Sequence, residues 1–108
     1  MNKEVKEITP KELEKKLNNN EVQLIDVREW NEYNYCRIEG AEVITMANIY
    51  SAVINPEEGK DMVVYCHTGV RSYHAAQVLM DRGFENVYNL RGGIDAYSAE
   101  VDPEIPRY

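Results

Sequence analysis

The apolar, β-rich run Met62-Val63-Val64-Tyr65 ends in a cysteine, and a few residues later the chain has changed period. Cys66 is followed by a short polar loop, and Ser72 opens a run in which Ala75, Ala76, Val78 and Leu79 recur at helical spacing. The order is strand, loop, helix, with a thiol at the strand's carboxyl end. In open parallel α/β sheets, ligands and reactive groups gather outside that edge. A helix amino terminus offers unpaired backbone N–H groups and the positive end of its dipole, an environment that favours a thiolate over a thiol. Arg71 adds a fixed positive charge. The loop reads as a cradle for a sulfur anion, or for an oxyanion attacked by one.

The rest of the chain repeats the alternation. A first short strand is expected at Ile8. Thr9-Pro10-Lys11-Glu12 is a helix start, with Thr9 as N-cap, Pro10 at the first helical position and Glu12 closing a capping box. Leu13 and Leu17 face inward at helical spacing, and Asn18-Asn19-Asn20 stops that helix. Val22 to Val27 reads as a buried strand that puts Asp26 on the same edge as Cys66. Glu29 to Cys36 reads as helix, Glu42 to Thr45 as a short strand and Met46 to Val53 as a short helix. Asn55 to Asp61 is loop. The helix from Ser72 to Arg82 ends at Gly83, a left-handed cap. Val87 to Leu90 is a further strand, and Ile94 to Ala99 a last helix. This pattern predicts a mainly parallel five-stranded sheet with helices on both faces. A chain of 108 residues is read as one domain, 1–108.

Composition excludes more than it specifies. The formal charge is −7, and no cluster of Lys and Arg suggests a nucleic-acid groove or an anionic membrane surface. Met1 to Val5 lacks the apolar core of a secretory leader, and no run approaches the ~20 apolar residues of a membrane span. The expected compartment is the cytoplasm, where thiols stay reduced. Cys36 and Cys66 are too far apart in sequence for a CxxC pair. Cys66, His67 and His74 do not show the paired spacings of zinc ligands. No metal and no organic cofactor are expected, and a monomer is the default.

Spacing narrows the chemistry. Cys66 to Arg71 is C-x4-R, one residue shorter than the C-x5-R of cysteine-dependent phosphatases, whose loop must ring a phosphoryl group. A smaller ring suits one extra sulfur on the cysteine, a persulfide. With Gly69 inside it and Arg71-Ser72 closing it, this loop resembles the active-site loop of rhodanese-like sulfurtransferases. Leu24-Ile25-Asp26-Val27-Arg28-Glu29 with Glu32-Tyr33 resembles the family's D-V-R-E and E-Y segments, and Ile38-Glu39-Gly40-Ala41 its I-x-G-A. Arg91-Gly92-Gly93-Ile94-Asp95-Ala96-Tyr97 is similar to the closing G-G-x-x-A-W, with Tyr97 in the tryptophan's place. Cys36-Arg37 stands where many members have Gly-His. The segment Val101 to Tyr108 is similar to the tails of rhodanese domains fused to adenylating enzymes.

The resemblance implies an α/β rhodanese-like domain in which Cys66 is nucleophile and sulfur carrier. His67, Thr68, Gly69, Val70, Arg71 and Ser72 would form the persulfide loop, supported by Asp26 and Arg28. Sulfane sulfur would pass from a small donor such as thiosulfate, or from a protein persulfide, to cyanide, a thiol or a protein partner in a sulfur relay. Gly69 is expected to turn N–H groups toward the sulfur. Two roles are open to Arg71: supporting the anion, or locking the loop on a carbonyl or carboxylate, with Asp26 a candidate partner. His67 could recognise an anionic donor or assist ionisation of the thiol. With only histidine and threonine at positions 67 and 68, a protein persulfide is the better expected donor. Cys36 is either a resolving thiol or a small packing residue. A cysteine-dependent phosphatase or arsenate reductase, and a non-enzymatic binding or regulatory module, are the competing readings. Loop length opposes the first and the presence of Cys66 the second.

Overall fold

The computed structural model describes residues 4–108; residues 1–3, the start of the segment read above for a secretory leader, lie outside the described residues. Five strands form one sheet: β1 (Lys6–Ile8), β2 (Val22–Asp26), β3 (Glu42–Val43), β4 (Asp61–Tyr65) and β5 (Val87–Leu90). Their spatial order is β1-β5-β4-β2-β3, with all pairings parallel. The helices are α1 (Pro10–Asn18), α2 (Trp30–Tyr35), α3 (Val70–Asp81) and α4 (Gly93–Glu100). The expected fold class, a mainly parallel five-stranded sheet covered on both faces, is the fold observed.

The two cores follow from the strand period of two. Along β4 and just beyond it, Met62, Val64 and Cys66 join Ile25, Val27 and the α3 residues Ala75, Ala76 and Leu79 on one face. Val63 and Tyr65 point the other way, into a cluster with Leu13 of α1 and Ile94 and Tyr97 of α4. Every residue of β2 is buried because helices and loops cover both sides of a strand between β3 and β4.

The ends of the elements are written locally. Thr9 accepts from the Glu12 N–H while Glu12 accepts from the Thr9 N–H, the reciprocal pair expected from the sequence. Helix α3 ends in a Schellman arrangement: the N–H of Phe84 bonds the Leu79 carbonyl and that of Gly83 the Met80 carbonyl, with Gly83 at φ +99°.

One element differs from expectation. Met46 to Val53, expected as a short helix, forms none: residues 46–51 are consecutive turns, and Ala52 and Val53 have no regular structure. The N–H groups of Ile49 and Ala52 do reach back to Thr45 and Asn48. The carbonyls of Ile49 and Ala52, however, are taken by the two terminal nitrogens of Arg82, at 2.8 and 2.7 Å. A guanidinium from α3 supplies the partners that another helical turn would have used, so the segment stays irregular without leaving those carbonyls unpaired.

Past α4 the chain folds back over the molecule. Ile105 is buried beside α1 and α4, and its carbonyl accepts from the buried Ser98 hydroxyl at 2.6 Å. This anchor returns residues 106–108 toward the carboxyl edge of the sheet. Among the described residues, no helix is long and apolar enough to cross a membrane.

Candidate active site

Cys66 follows β4 directly, and the loop between it and α3 wraps its sulfur. The Gly69 N–H points at Sγ at 3.1 Å, the Ser72 N–H at 3.3 Å, and the Ser72 hydroxyl oxygen lies 3.2 Å away. Cys66 is only 1 % exposed. A charged sulfur there has the loop's own donors, and not bulk water, as its hydrogen-bond partners.

The inward direction of those N–H groups is set by what holds the carbonyls outward. The Cys66 carbonyl accepts from the Ile94 N–H at 2.9 Å and the His67 carbonyl from the Asp95 N–H at 3.0 Å. These amides belong to the first turn of α4, which have no partners inside their own helix. Contact this close requires Gly93. Its φ is +62°, and a Cβ there would collide with the backbone of Cys66 and His67. Gly69 is the second special position: φ is +100°, in the left-handed region, where it turns the loop into α3 and becomes the helix N-cap. α3 therefore begins at Val70, one turn-entry earlier than the Ser72 start read from periodicity.

Arg71 reaches to α2. Its Nη1 and Nη2 bond the two carboxylate oxygens of Glu32 on α2, at 2.8 and 2.9 Å. Of the two roles left open, this geometry is that of a lock on a carboxylate. The expected candidate partner was Asp26, and here the structure corrects the reading: Glu32 takes that place, because Asp26 is fully engaged by Arg28. Arg28 Nε and Nη2 bond the Asp26 carboxylate at 3.0 and 2.7 Å, with both side chains fully buried. Arg28 Nη2 also bonds the Cys36 carbonyl at 2.7 Å. Burial works against the Arg28 charge, but its bonds to Asp26 and Tyr108 outweigh this and hold the guanidinium firmly protonated. The bond from Arg71 brings the Glu32 carboxyl down to about 2, against the cost of its partial burial.

Tyr108 closes the arrangement. Its hydroxyl donates to Glu32 Oε2 at 2.7 Å and accepts from Arg28 Nη1 at 2.9 Å. Its ring lies flat on His67, with centroids 3.9 Å apart and an angle of 8°. Burial first, then the bond to Glu32, pushes the phenol up to about 12. His67 Nε2 is buried without a hydrogen-bond partner. Thr68 and Val70 are exposed on the outside of the loop.

The structure thus brings Gly69 and Ser72 onto the Cys66 sulfur, ties Arg71 to Glu32, stacks His67 on Tyr108, and sets the buried Asp26–Arg28 pair where Tyr108 joins it to Glu32. Cys36 is separate. It packs in the core on the α1 and α4 face, whereas Cys66 belongs to the α3 face. Among the described residues, no three His, Cys, Asp or Glu side chains cluster so as to hold a metal ion.

Sequence reasoning missed Asn89. It is 1 % exposed in β5 and bonds the Ser72 hydroxyl, the Gly69 carbonyl and Glu7. Its signal was an amide inside the otherwise apolar run Val87 to Leu90. The bridging part played by Tyr108 had no local signal.

Comparison with known proteins agrees with this geometry. The family model described as rhodanese-like domain matches residues 9–100. Thiosulfate sulfurtransferase GlpE of Pseudoalteromonas translucida is 32 % identical over 91 residues, covering 84 % of this chain and 87 % of that protein. Rhodanese-like/PpiC domain-containing protein 12, chloroplastic, of Arabidopsis thaliana is 43 % identical over 114 residues, covering 96 % of this chain. This chain spans only 38 % of that plant protein's length. The crystal structure of a rhodanese-like domain protein from Staphylococcus aureus superposes with a TM-score of 0.79 at 28 % identity, covering 96 % of this chain and 99 % of the other. With that match, and with a cysteine seated in a ring of loop amides at the sheet's carboxyl edge, this chain belongs to the rhodanese-like domain family.

Proposed function

We propose that this protein is a rhodanese-type sulfurtransferase in which Cys66 carries the sulfur. The observation that supports this most directly is the convergence of the Gly69 and Ser72 N–H groups on Sγ. In the first step the Cys66 thiolate attacks the outer sulfur of a donor. An S–S bond forms to Cys66, and the donor's own bond to that sulfur breaks. The leaving group departs with the electron pair, as sulfite from thiosulfate or as a thiolate from a protein persulfide. The charge on Cys66–S–S⁻ then rests among loop N–H donors in a site shielded from water, where such bonds are strongest. In the second step cyanide, a thiol or a protein acceptor attacks the outer sulfur, and the Cys66 thiolate leaves. This is double-displacement covalent catalysis, and no net oxidation occurs.

The charge pattern favours a protein persulfide over thiosulfate as donor. Arg71, the fixed cation of the loop, is already matched by Glu32, and the chain carries a net charge of −7. A dianion gains little there, whereas a thiol-bound persulfide carries less charge. We place this activity in the cytoplasm, in a monomer acting through the unit 1–108, with a sulfur-relay protein as partner.

The test is intact mass after incubation with thiosulfate and, separately, with a persulfidated cysteine desulfurase, comparing the unsubstituted protein with Cys66→Ser. A gain of about 32 Da on the unsubstituted protein alone, removed by cyanide, is expected for a covalent carrier. Absence of the gain with both donors would overturn the enzymatic reading in favour of a binding module.

A further inference from the structure

We propose that Asn89 is a positioning residue for Cys66, acting through the Ser72 hydroxyl: it claims that hydroxyl's one proton and so holds the resting cysteine as a thiol. The inference rests on the reading of Cys66 as the nucleophile, but not on which donor or acceptor it serves.

The argument is a count of protons. In the sheet register, Asn89 pairs with Glu7 on one side and Val64 on the other. Its side chain lies against the first turn of α3. The Asn89 amide nitrogen donates to Glu7 Oε2 at 3.0 Å and to the Gly69 carbonyl at 3.1 Å, which uses both of its protons. Turning the amide over would face its carbonyl to two oxygens that only accept, so the orientation is determined. Asn89 Oδ1 is left facing Ser72 Oγ at 2.5 Å. Neither oxygen brings a proton except the serine hydroxyl, which must therefore point at Asn89.

Ser72 Oγ also lies 3.2 Å from Cys66 Sγ. With its proton directed at Asn89, the hydroxyl can meet the sulfur only as an acceptor, taking the thiol S–H. Every group is then satisfied when Cys66 is neutral. When the sulfur is charged, the hydroxyl gains a better acceptor, but turning to it leaves Asn89 Oδ1 unpaired in a site 1 % exposed. Leaving a buried acceptor unpaired opposes that turn. Asn89 thus sets a threshold on ionisation while its amide holds the Gly69 carbonyl, and with it the loop. A neutral thiol at rest is also less open to oxidation than a thiolate.

The charged and titratable groups around the loop are Arg71 with Glu32 of α2, His67 under Tyr108, Asp95 at the start of α4 with Arg107, the buried Asp26–Arg28 pair, and Glu7 behind Asn89 with Arg91. None is altered in a cycle built on Ser72 and Asn89, and their contributions cancel there. The cycle compares unsubstituted protein, Asn89→Leu, Ser72→Ala and the double variant. The readout is the iodoacetamide alkylation rate of Cys66 near neutral pH, followed by peptide mass.

Asn89→Leu is expected to raise the rate about tenfold, by freeing the hydroxyl for the thiolate. In the Ser72→Ala background the same substitution should change nothing. Acceleration that persists in Ser72→Ala would mean a loosened loop and overturn the proposal. A measurement on the unsubstituted protein covers failure of a variant to fold. The side-chain carbonyl carbon resonance of Asn89 should move with the same pH midpoint as Cys66 alkylation, and a resonance indifferent to that titration overturns the idea. These readouts do not involve sulfur transfer, so their failure is separable from failure of the enzymatic reading.

Discussion

The ring of Tyr108 is stacked on the imidazole of His67, the residue after Cys66, with centroids 3.9 Å apart. Its hydroxyl meanwhile joins Arg28 to Glu32. One side chain from the end of the described chain thus touches the loop, the buried ion pair and the lock on Arg71. Tyr108→Phe keeps the stack and removes both hydroxyl bonds. Tyr108 is 44 % exposed, so the expected loss is modest, about 1 kcal/mol. Tyr108→Ala should lose about 1 kcal/mol more with the stacking. Urea midpoints of the two variants, compared with the unsubstituted protein, measure both, and equal losses would mean that the ring contributes nothing.

The lock between Glu32 and Arg71 should appear in acid. The Glu32 carboxyl is lowered from its ordinary value of 4.5 to about 2, chiefly by the Arg71 bond. A depressed carboxyl stabilises the fold fully above the unfolded value and stops doing so as pH falls toward the folded one. Stability held by this group is therefore present at neutral pH and lost between about 4.5 and about 2. In Glu32→Gln that portion of the acid sensitivity should vanish. Urea midpoints taken across this range test it: a variant that loses stability as steeply as the parent contradicts the assignment.

Arg28 is a different case from Arg71, because its pair with Asp26 is wholly buried. Removing one partner strands a charge. Arg28→Ala should cost about 3–5 kcal/mol, and Arg28→Lys should recover little, since a point charge cannot span Asp26, the Cys36 carbonyl and Tyr108 at once. Thermal unfolding of both variants decides, and near-full recovery by lysine would show that charge alone matters.

Gly93 lies outside the loop, yet it lets α4 hold the loop carbonyls. Gly93→Ala should cost at least ~1–2 kcal/mol from the left-handed backbone and should also push the Cys66–His67 backbone off its α4 amides. Sulfur transfer to cyanide, measured as kcat/KM, should fall by about tenfold or more for loss of positioned donors. Retained activity in a folded variant would show that the loop keeps its shape without α4.

What was legible in the sequence is what depends on neighbours in the chain. The Thr9 cap, the Gly83 stop, the strand periods and the C-x4-R interval all report local geometry, and each appears in the structure where it was read. The misses depend on residues far apart in sequence. The turns over residues 46–51 are held by Arg82 from α3. Arg71 meets Glu32 across the sheet edge rather than Asp26, because Asp26 was already committed to Arg28 two residues away. Asn89 and Tyr108 acquire their parts only when β5 and the tail are brought beside the loop.

The separation of the two cysteines decides how this protein meets oxidative stress. Cys36 and Cys66 are both buried free thiols and belong to cores on opposite faces of the sheet, an arrangement that does not pair them in an internal disulfide. A sulfenic acid on Cys66 has no second thiol beside it in this fold to condense with. Its reduction falls to an outside thiol, and the survival of a reduced Cys66 under peroxide becomes a property of the reductant pool around it.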